Sequence, residues 1–507
     1  MAVAHRHVVA HLASAALFTT FRALAALEPG SPFVDHAVLQ RGMSAPVWGK
    51  AAPGAEVTVD FAGQSKACRA DADGNWRVSL DPMEASREGR ELRISACSGG
   101  CEETVSADDV LVGEVWLASG QSNMEVPIWG DDPRFRDAKG AMMCAMTHLP
   151  LVRYVKTPLA WSVKPRKVQV RWHPLTAESL GKSEKPSAVA FYYARELFLA
   201  LGVPVGVVDS TWGGTPIDAW TPRSGYDGCD ESIRKFADYP VKEKFERPRD
   251  VLRPVVYGAP HQPTVLFNGM VAAYAPMAVR GFIWYQGCNN GKEPHLYLEK
   301  MRALYRGWRT EFRNPSLKMY FAQLAPFRQY WRGICEAQTA FAEEEPNAAV
   351  AVTADVGNFY DIHPNRKELV AQRLAIHALK RDYGFPVGED DSPVWKAVSS
   401  ANGVVTLSFA HVRRWYVYSP DRSRAAPFEL CGADGKWHSA EILNFDCGEG
   451  GNQASGAYAI SSPEIRLASE AVRDPKAIRY LADAKATAFL YNEASLPLGP
   501  FDASLSR

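Results

Sequence analysis

Apolar and polar residues alternate along Val57–Phe61 and Trp76–Leu80, the period of a strand with one buried face, and Gly, Pro or Asp bounds each run. Residues 30–108 therefore predict an N-terminal β domain. Within it, Asp71-Ala72-Asp73-Gly74-Asn75 faintly resembles a calcium loop but lacks the closing Glu, so a hairpin turn is predicted there. From residue 109 the period changes. Short unbroken apolar runs occupy Val112–Ala118, Val205–Val208, Gly281–Tyr285, Met319–Leu324 and Ala349–Thr353. They alternate with helix-period segments at Val189–Leu201, His295–Phe312 and Arg366–Arg381; in the last, Val370, Leu374 and Ala378 form a stripe along one face. Such alternation predicts a parallel sheet with helices on both faces over residues 109–390. Strand signatures return at Val404–Phe409, Trp415–Tyr418, Phe428–Leu430 and Ala486–Tyr491, predicting a C-terminal β-rich module over residues 391–507.

Composition narrows the function. A chain of 507 residues exceeds one hydrophobic core, in keeping with this threefold division. Lys plus Arg equals Asp plus Glu at 57 each, so no basic surface points to nucleic acid as a partner. Nine cysteines cannot all pair within one chain, and none forms a C-x-x-C knuckle; Cys97 and Cys101 could bridge a loop tip, with buried free thiols the equal alternative. Arg6, the apolar run Val8–Phe18 and Ala23-Leu24-Ala25 fit a secretory signal, against which stand His11 within the run and Arg22 near the cut. The chain is secreted or periplasmic on the first reading and cytoplasmic on the second. No other apolar stretch is long enough to span a bilayer.

Four blocks, each at or after a predicted strand end, carry candidate chemistry. Ser119-Gly120-Gln121-Ser122-Asn123-Met124 offers Ser122 as a nucleophile at the carboxyl end of a parallel strand, where ligands bind in open α/β sheets. A helix-capping serine is the plainer reading of that block alone, and G-x-S-x-x is not the G-x-S-x-G elbow of the α/β-hydrolases. Gly213 and Gly214, after Val205–Val208, can bring a backbone N–H close to a developing oxyanion, or simply make a tight turn. Trp284-Tyr285-Gln286-Gly287-Cys288-Asn289-Asn290 supplies amide donors. Asp361-Ile362-His363-Pro364 supplies a base for a serine that is a poor nucleophile unaided, with a carboxylate to fix its tautomer. Together the blocks furnish nucleophile, base, orienter and oxyanion donors.

The stretches V-L-V-G-E-V-W-L-A-S-G-Q-S-N-M-E, G-V-P-V-G-V-V-D-S-T-W-G-G-T-P-I-D-A-W, P-T-V-L-F-N-G-M, R-G-F-I-W-Y-Q-G and D-I-H-P, with D-H-A-V-L-Q-R-G near the start and L-Y-N-E-A-S-L-P near the end, resemble the sialate O-acetylesterases among the SGNH hydrolases. The resemblance implies an SGNH (flavodoxin-like) three-layer α/β/α catalytic domain with flanking β-sandwich-like modules. It implies hydrolysis of acetyl esters of sialic acid, or else of a polysaccharide such as xylan, with an O-acetylated sugar as partner and no metal or organic cofactor. Position by position it implies Ser122 as nucleophile, His363 as base, and the Ser122 N–H, Gly213 or Gly214 N–H and Asn290 side chain as the oxyanion hole. Gln121 and Gln286 are expected to bind substrate. Asp361 is the expected partner of His363, with Asp355 in reserve, because the commoner pattern has Asp three residues before the His, where this chain has Tyr360. The family also reads W-Y-Q-G-E-(S or A)-N, so Cys288 stands where a Glu is usual and Asn289 where a small residue is. A decayed, carbohydrate-binding relative is the rival reading from another class.

Overall fold

A computed structural model describes residues 26–505 except 131–137, 183–184, 239–258, 330, 419–426, 447–456 and 488. The candidate signal segment and Cys447 lie outside the described residues.

The two N-terminal strands form close to where the alternation places them, as Glu56–Phe61 and Asn75–Leu80, with every second side chain buried. They belong to different sheets. Glu56–Phe61 pairs with Gln64–Arg69 and Ser86–Ser98, whereas Asn75–Leu80 pairs with Ala45–Lys50. The hairpin expected at Asp71–Asn75 is thus a turn from one sheet to the other, closed by Asp71 Oδ1 accepting the N–H groups of Asp73 and Asn75 at 2.9 and 2.8 Å. Cys97 and Cys101 are exposed free thiols at the end of the Ser86–Ser98 hairpin rather than a disulfide.

The strand expected at Val112–Ala118 is much longer. It runs from Cys101 to Gly120, bulged about Asp109, which stands at φ +55°; its first half pairs with Ser86–Ser98 and its second half is the middle of the central sheet. The boundary expected between residues 108 and 109 therefore falls inside one strand. Within the central sheet we label this strand β1 and continue with β2 (His148–Lys156), β3 (His173–Thr176), β4 (Val205–Thr211), β5 (Gly281–Tyr285), β6 (Lys318–Ala322) and β7 (Ala348–Ala351). The order is β3-β2-β4-β1-β5-β6-β7, parallel throughout except for the antiparallel edge strand β3. Strands β4, β5 and β7 are buried along their whole length, as their unbroken apolar runs require of strands covered on both faces. Five of the helices are labelled, α1 (Ser122–Glu125), α2 (Ala188–Leu201), α3 (Pro294–Glu311), α4 (Arg332–Glu344) and α5 (Lys367–Arg381). Helix α2 packs on α5, and α3 on α4. Ser187 caps α2 by accepting the Ala190 N–H, and Gly202 ends it in the left-handed conformation.

A buried carboxylate ties the N-terminal segment to this sheet. Glu114 of β1 is fully buried and meets Arg41 Nε at 2.5 Å, Arg280 Nε at 3.2 Å and the Tyr383 hydroxyl at 2.9 Å. Burial opposes its ionisation, but the arginines outweigh it and hold its pKa below the usual glutamate value. The C-terminal residues form three small antiparallel sheets, built on Val394–Ala401 with Val404–Ala410, on Trp415–Tyr418 and on Phe428–Cys431. Among the described residues no helix is long and apolar enough to cross a membrane.

Candidate active site

Four loops at the carboxyl ends of β1, β4, β5 and β7 converge. The residue that lets the first turn sharply is Gly120, with φ +136° and its Cα packed so closely on β5 that a Cβ would lie 2.3 Å from the Tyr285 carbonyl oxygen. No side chain fits, so the chain leaves the sheet at glycine and enters α1 at Ser122. From the opposite side, the loop after β7 brings in His363. Its Nε2 lies 2.9 Å from Ser122 Oγ, across 241 positions of sequence. The two residues expected as nucleophile and base are within proton-transfer reach.

The remaining expectations fare unevenly. Asp361 Oδ1 accepts the His363 backbone N–H at 2.9 Å and lies 3.6 Å from His363 Nδ1, but its side chain is 50% exposed, so the contact is loose. Asp355 is committed elsewhere: it forms a buried two-pronged pair with Arg373 at 2.6 and 2.8 Å and accepts from the Tyr491 hydroxyl. It is not the partner of His363.

Gly213 approaches Ser122 closely, since a Cβ on it would lie 3.3 Å from Ser122 Cβ. Its N–H, however, donates to the Glu125 carboxylate at 2.8 Å. Desolvation raises the Glu125 pKa, with Lys156 and the Gly213 N–H pulling it back. Gly214, at φ +71°, takes the left-handed conformation, and its carbonyl is held by His261 Nε2 at 2.8 Å and Asn289 Nδ2 at 2.7 Å.

Asn290 is turned inward. Its side-chain oxygen accepts from the Ile217 N–H and from Gln286, and its nitrogen faces Asp218 at 3.4 Å. Asn289 is the member of the pair that stands beside the glycine loop. Gln121 and Gln286, expected to contact substrate, are 3% and 0% exposed and brace the scaffold instead. Gln121 accepts the N–H groups of Gly287 and Asn289, while Gln286 donates to Thr215 and accepts from Tyr297.

Three residues of the site were not anticipated. Glu125 stands three positions after Ser122, where S-x-x-E is the signature of a capping box; that signal marked the carboxylate, although it caps the glycine loop rather than its own helix. Asn123, next in sequence to Ser122, meets Lys367, and both are nearly fully buried. Lys367 lies over the Tyr285 ring and close to Cys288. Burial raises the Cys288 thiol pKa to about 11.

The arrangement sets a hydroxyl within hydrogen-bond distance of an imidazole, beside a glycine loop, a geometry that suits acyl transfer. Residues 257–379, which span the β5 loop and His363, match the family described as carbohydrate esterase, sialic acid-specific acetylesterase. The sialate O-acetylesterase of Mus musculus is 28% identical over 424 residues, covering 74% of this chain and 77% of the mouse protein. That of Homo sapiens is 28% identical over 382 residues, covering 69% and 70%. Among solved structures, a carbohydrate acetylesterase from Xanthomonas citri superposes with a TM-score of 0.77 at 30% identity, over 94% of this chain and 99% of its own. A likeness that runs through the convergent loops and along nearly the whole of a solved relative leaves one assignment: the chain belongs to the sialate O-acetylesterase family and is a carbohydrate esterase.

Proposed function

We propose that this esterase removes O-acetyl groups from a sugar, sialic acid first among them, through an acetyl-enzyme on Ser122. The observation that carries the reading is the 2.9 Å contact between Ser122 Oγ and His363 Nε2. His363 takes the hydroxyl proton as Oγ attacks the acetyl carbonyl, then returns it to the departing sugar oxygen. Water, deprotonated by the same imidazole, releases acetate and restores Ser122. Asp361 steadies the imidazolium from its loose position. The Ser122 N–H and the Gly213–Gly214 loop stabilise the tetrahedral oxyanion. Because Glu125 takes the Gly213 N–H, the Gly214 N–H is the favoured donor of that loop, and Asn289 is better placed beside it than Asn290. Loss of one such donor costs on the order of 10²–10³ in rate.

The parallel sheet with its paired helices supports an SGNH (flavodoxin-like) three-layer catalytic domain over residues 109–390. We take residues 30–108 and 391–507 as flanking β modules, the first sharing a strand with the catalytic sheet. Export is the matching reading of the N-terminal segment.

In the test, purified Ser122→Ala is compared with wild type for acetate release from O-acetylated sialic acid, acetylated xylan and an aryl acetate. Loss of all turnover in a folded variant is expected, with sialate preferred by wild type. Undiminished turnover in the variant would overturn the mechanism. Preference for xylan, the reading left open by the Xanthomonas relative's broader description, would overturn the choice of sugar.

A further inference from the structure

Lys367 opens α5, a position where lysine ordinarily reaches into solvent, yet it is 4% exposed. Among the described residues no carboxylate pairs with it. Its Nζ donates to the side-chain oxygen of Asn123, and the ring of Tyr285 lies 5.2 Å away. Asn123 is 2% exposed and spends its other end as well, its Nδ2 donating to the Ile362 carbonyl at 3.0 Å. The orientation of this amide is fixed at the Ile362 end, because a backbone carbonyl only accepts.

Both ends of this chain of contacts adjoin the reacting atoms. Asn123 directly follows Ser122, and Ile362 directly precedes His363. The Asp361 carboxylate beside the base is half exposed and stands 3.6 Å from Nδ1. A buried, unpaired cation is costly to keep, and such groups gather at functional sites.

We infer that Lys367 and Asn123 are positioning residues of the esterase: Lys367 fixes the Asn123 carboxamide, which grips the loop after β7 at Ile362 and so sets His363 against Ser122. The inference rests on the catalytic roles proposed for Ser122 and His363. It asks of Lys367 no contact with substrate. Misplacing a reacting group by about 1 Å costs on the order of 10² in rate, which sets the size of the effect.

The test measures kcat and KM on an aryl acetate for Lys367→Met, Asn123→Ala, their double variant and Asn123→Asp, with Ser122→Ala as reference and thermal unfolding recorded for each. Lys367→Met and Asn123→Ala are expected to lower kcat by about 10²-fold with KM changed by less than about twofold. The double variant should be no slower than the slower single, because one chain of contacts can be broken only once. Asn123→Asp keeps an acceptor for the lysine but loses the donor to Ile362, and should be as slow as Asn123→Ala. Kcat within about twofold of wild type in Lys367→Met, or effects that multiply in the double variant, would overturn the inference. Should Lys367→Met fail to fold, Asn123→Asp decides, since full activity there overturns it equally. An inactive Ser122→Ala beside a fully active Lys367→Met sinks only this inference, whereas an active Ser122→Ala sinks the reading beneath it.

Discussion

Replacing Asp361 by Asn should slow turnover by about 5- to 30-fold. The reasoning starts from its geometry: a carboxylate oxygen 3.6 Å from His363 Nδ1, on a side chain half open to water. Unit charges near 4 Å apart interact by about 1 kcal/mol at the dielectric of water and about 4 kcal/mol at an effective dielectric of 20. Half exposure puts Asp361 toward the lower figure, at about 1–2 kcal/mol of support for the imidazolium formed in the transition state, and each 1.4 kcal/mol is about tenfold in rate. Asn at this position keeps an oxygen that can accept the His363 N–H, so the loop retains its shape and the charge alone is removed. A dry carboxylate hydrogen-bonded to the base behaves differently, its loss costing about 10⁴. The assay is kcat for an aryl acetate, with circular dichroism to establish folding. A loss approaching 10⁴ would refute the argument by showing a tight, desolvated partnership. A rate within twofold of wild type would refute it from the other side, leaving the contact without electrostatic consequence.

Glu114→Ala leaves Arg41 and Arg280 without their buried counter-charge and should destabilise the protein by about 3–5 kcal/mol in denaturant unfolding; an unshifted midpoint would contradict the pairing. Lys367, pushed by burial to about 7 against about 10.4 in an unfolded chain, binds fewer protons folded than unfolded between those values. Wild-type stability should therefore rise with pH from about 7 to 10 relative to Lys367→Met, by at most about 1.4 kcal/mol per pH unit, and parallel curves in pH-dependent unfolding would be the contrary result. Gly120→Ala forces a Cβ to within 2.3 Å of the Tyr285 carbonyl and should abolish activity or folding; an active, equally stable variant would mean that β1 and β5 are not so tightly packed at that point. In thiol labelling of the native protein, the exposed Cys97 and Cys101 should react well before Cys144 and Cys335, an order read by peptide mass.

Much of this was legible in the sequence where one physical signal acted alone. Gly281–Tyr285 and Trp415–Tyr418 occur at the expected residues because each is a short apolar or alternating run cut off by polar neighbours. The meeting of Ser122 and His363 was legible because both follow strand ends and the strands were visible. Burial that depends on distant parts of the chain was less so. Residues 101–111 are mostly polar and carry no clear alternation, yet they form strand because Ser86–Ser98 supplies a partner for their backbone. Strand β2 contains Pro150, and the buried stripe of α4 runs Ile334, Gln338, Phe341, interrupted by a glutamine whose amide is used to hold Leu324. Neither was anticipated. Asn290 followed the family motif but is turned toward Ile217 and Asp218, and Lys367 resembled any surface lysine until Asn123 and Tyr285 closed over it.

The strand from Cys101 to Gly120, bulged at Asp109, acts as a spar between the outer β sheet and the serine two residues beyond its end. The module is attached through hydrogen-bonded ladder on both sides of that bulge, rather than through a loop. Trimming the protein back to residue 109 would saw through that spar and expose raw strand edges, so an active fragment would have to begin upstream of the entire N-terminal sheet.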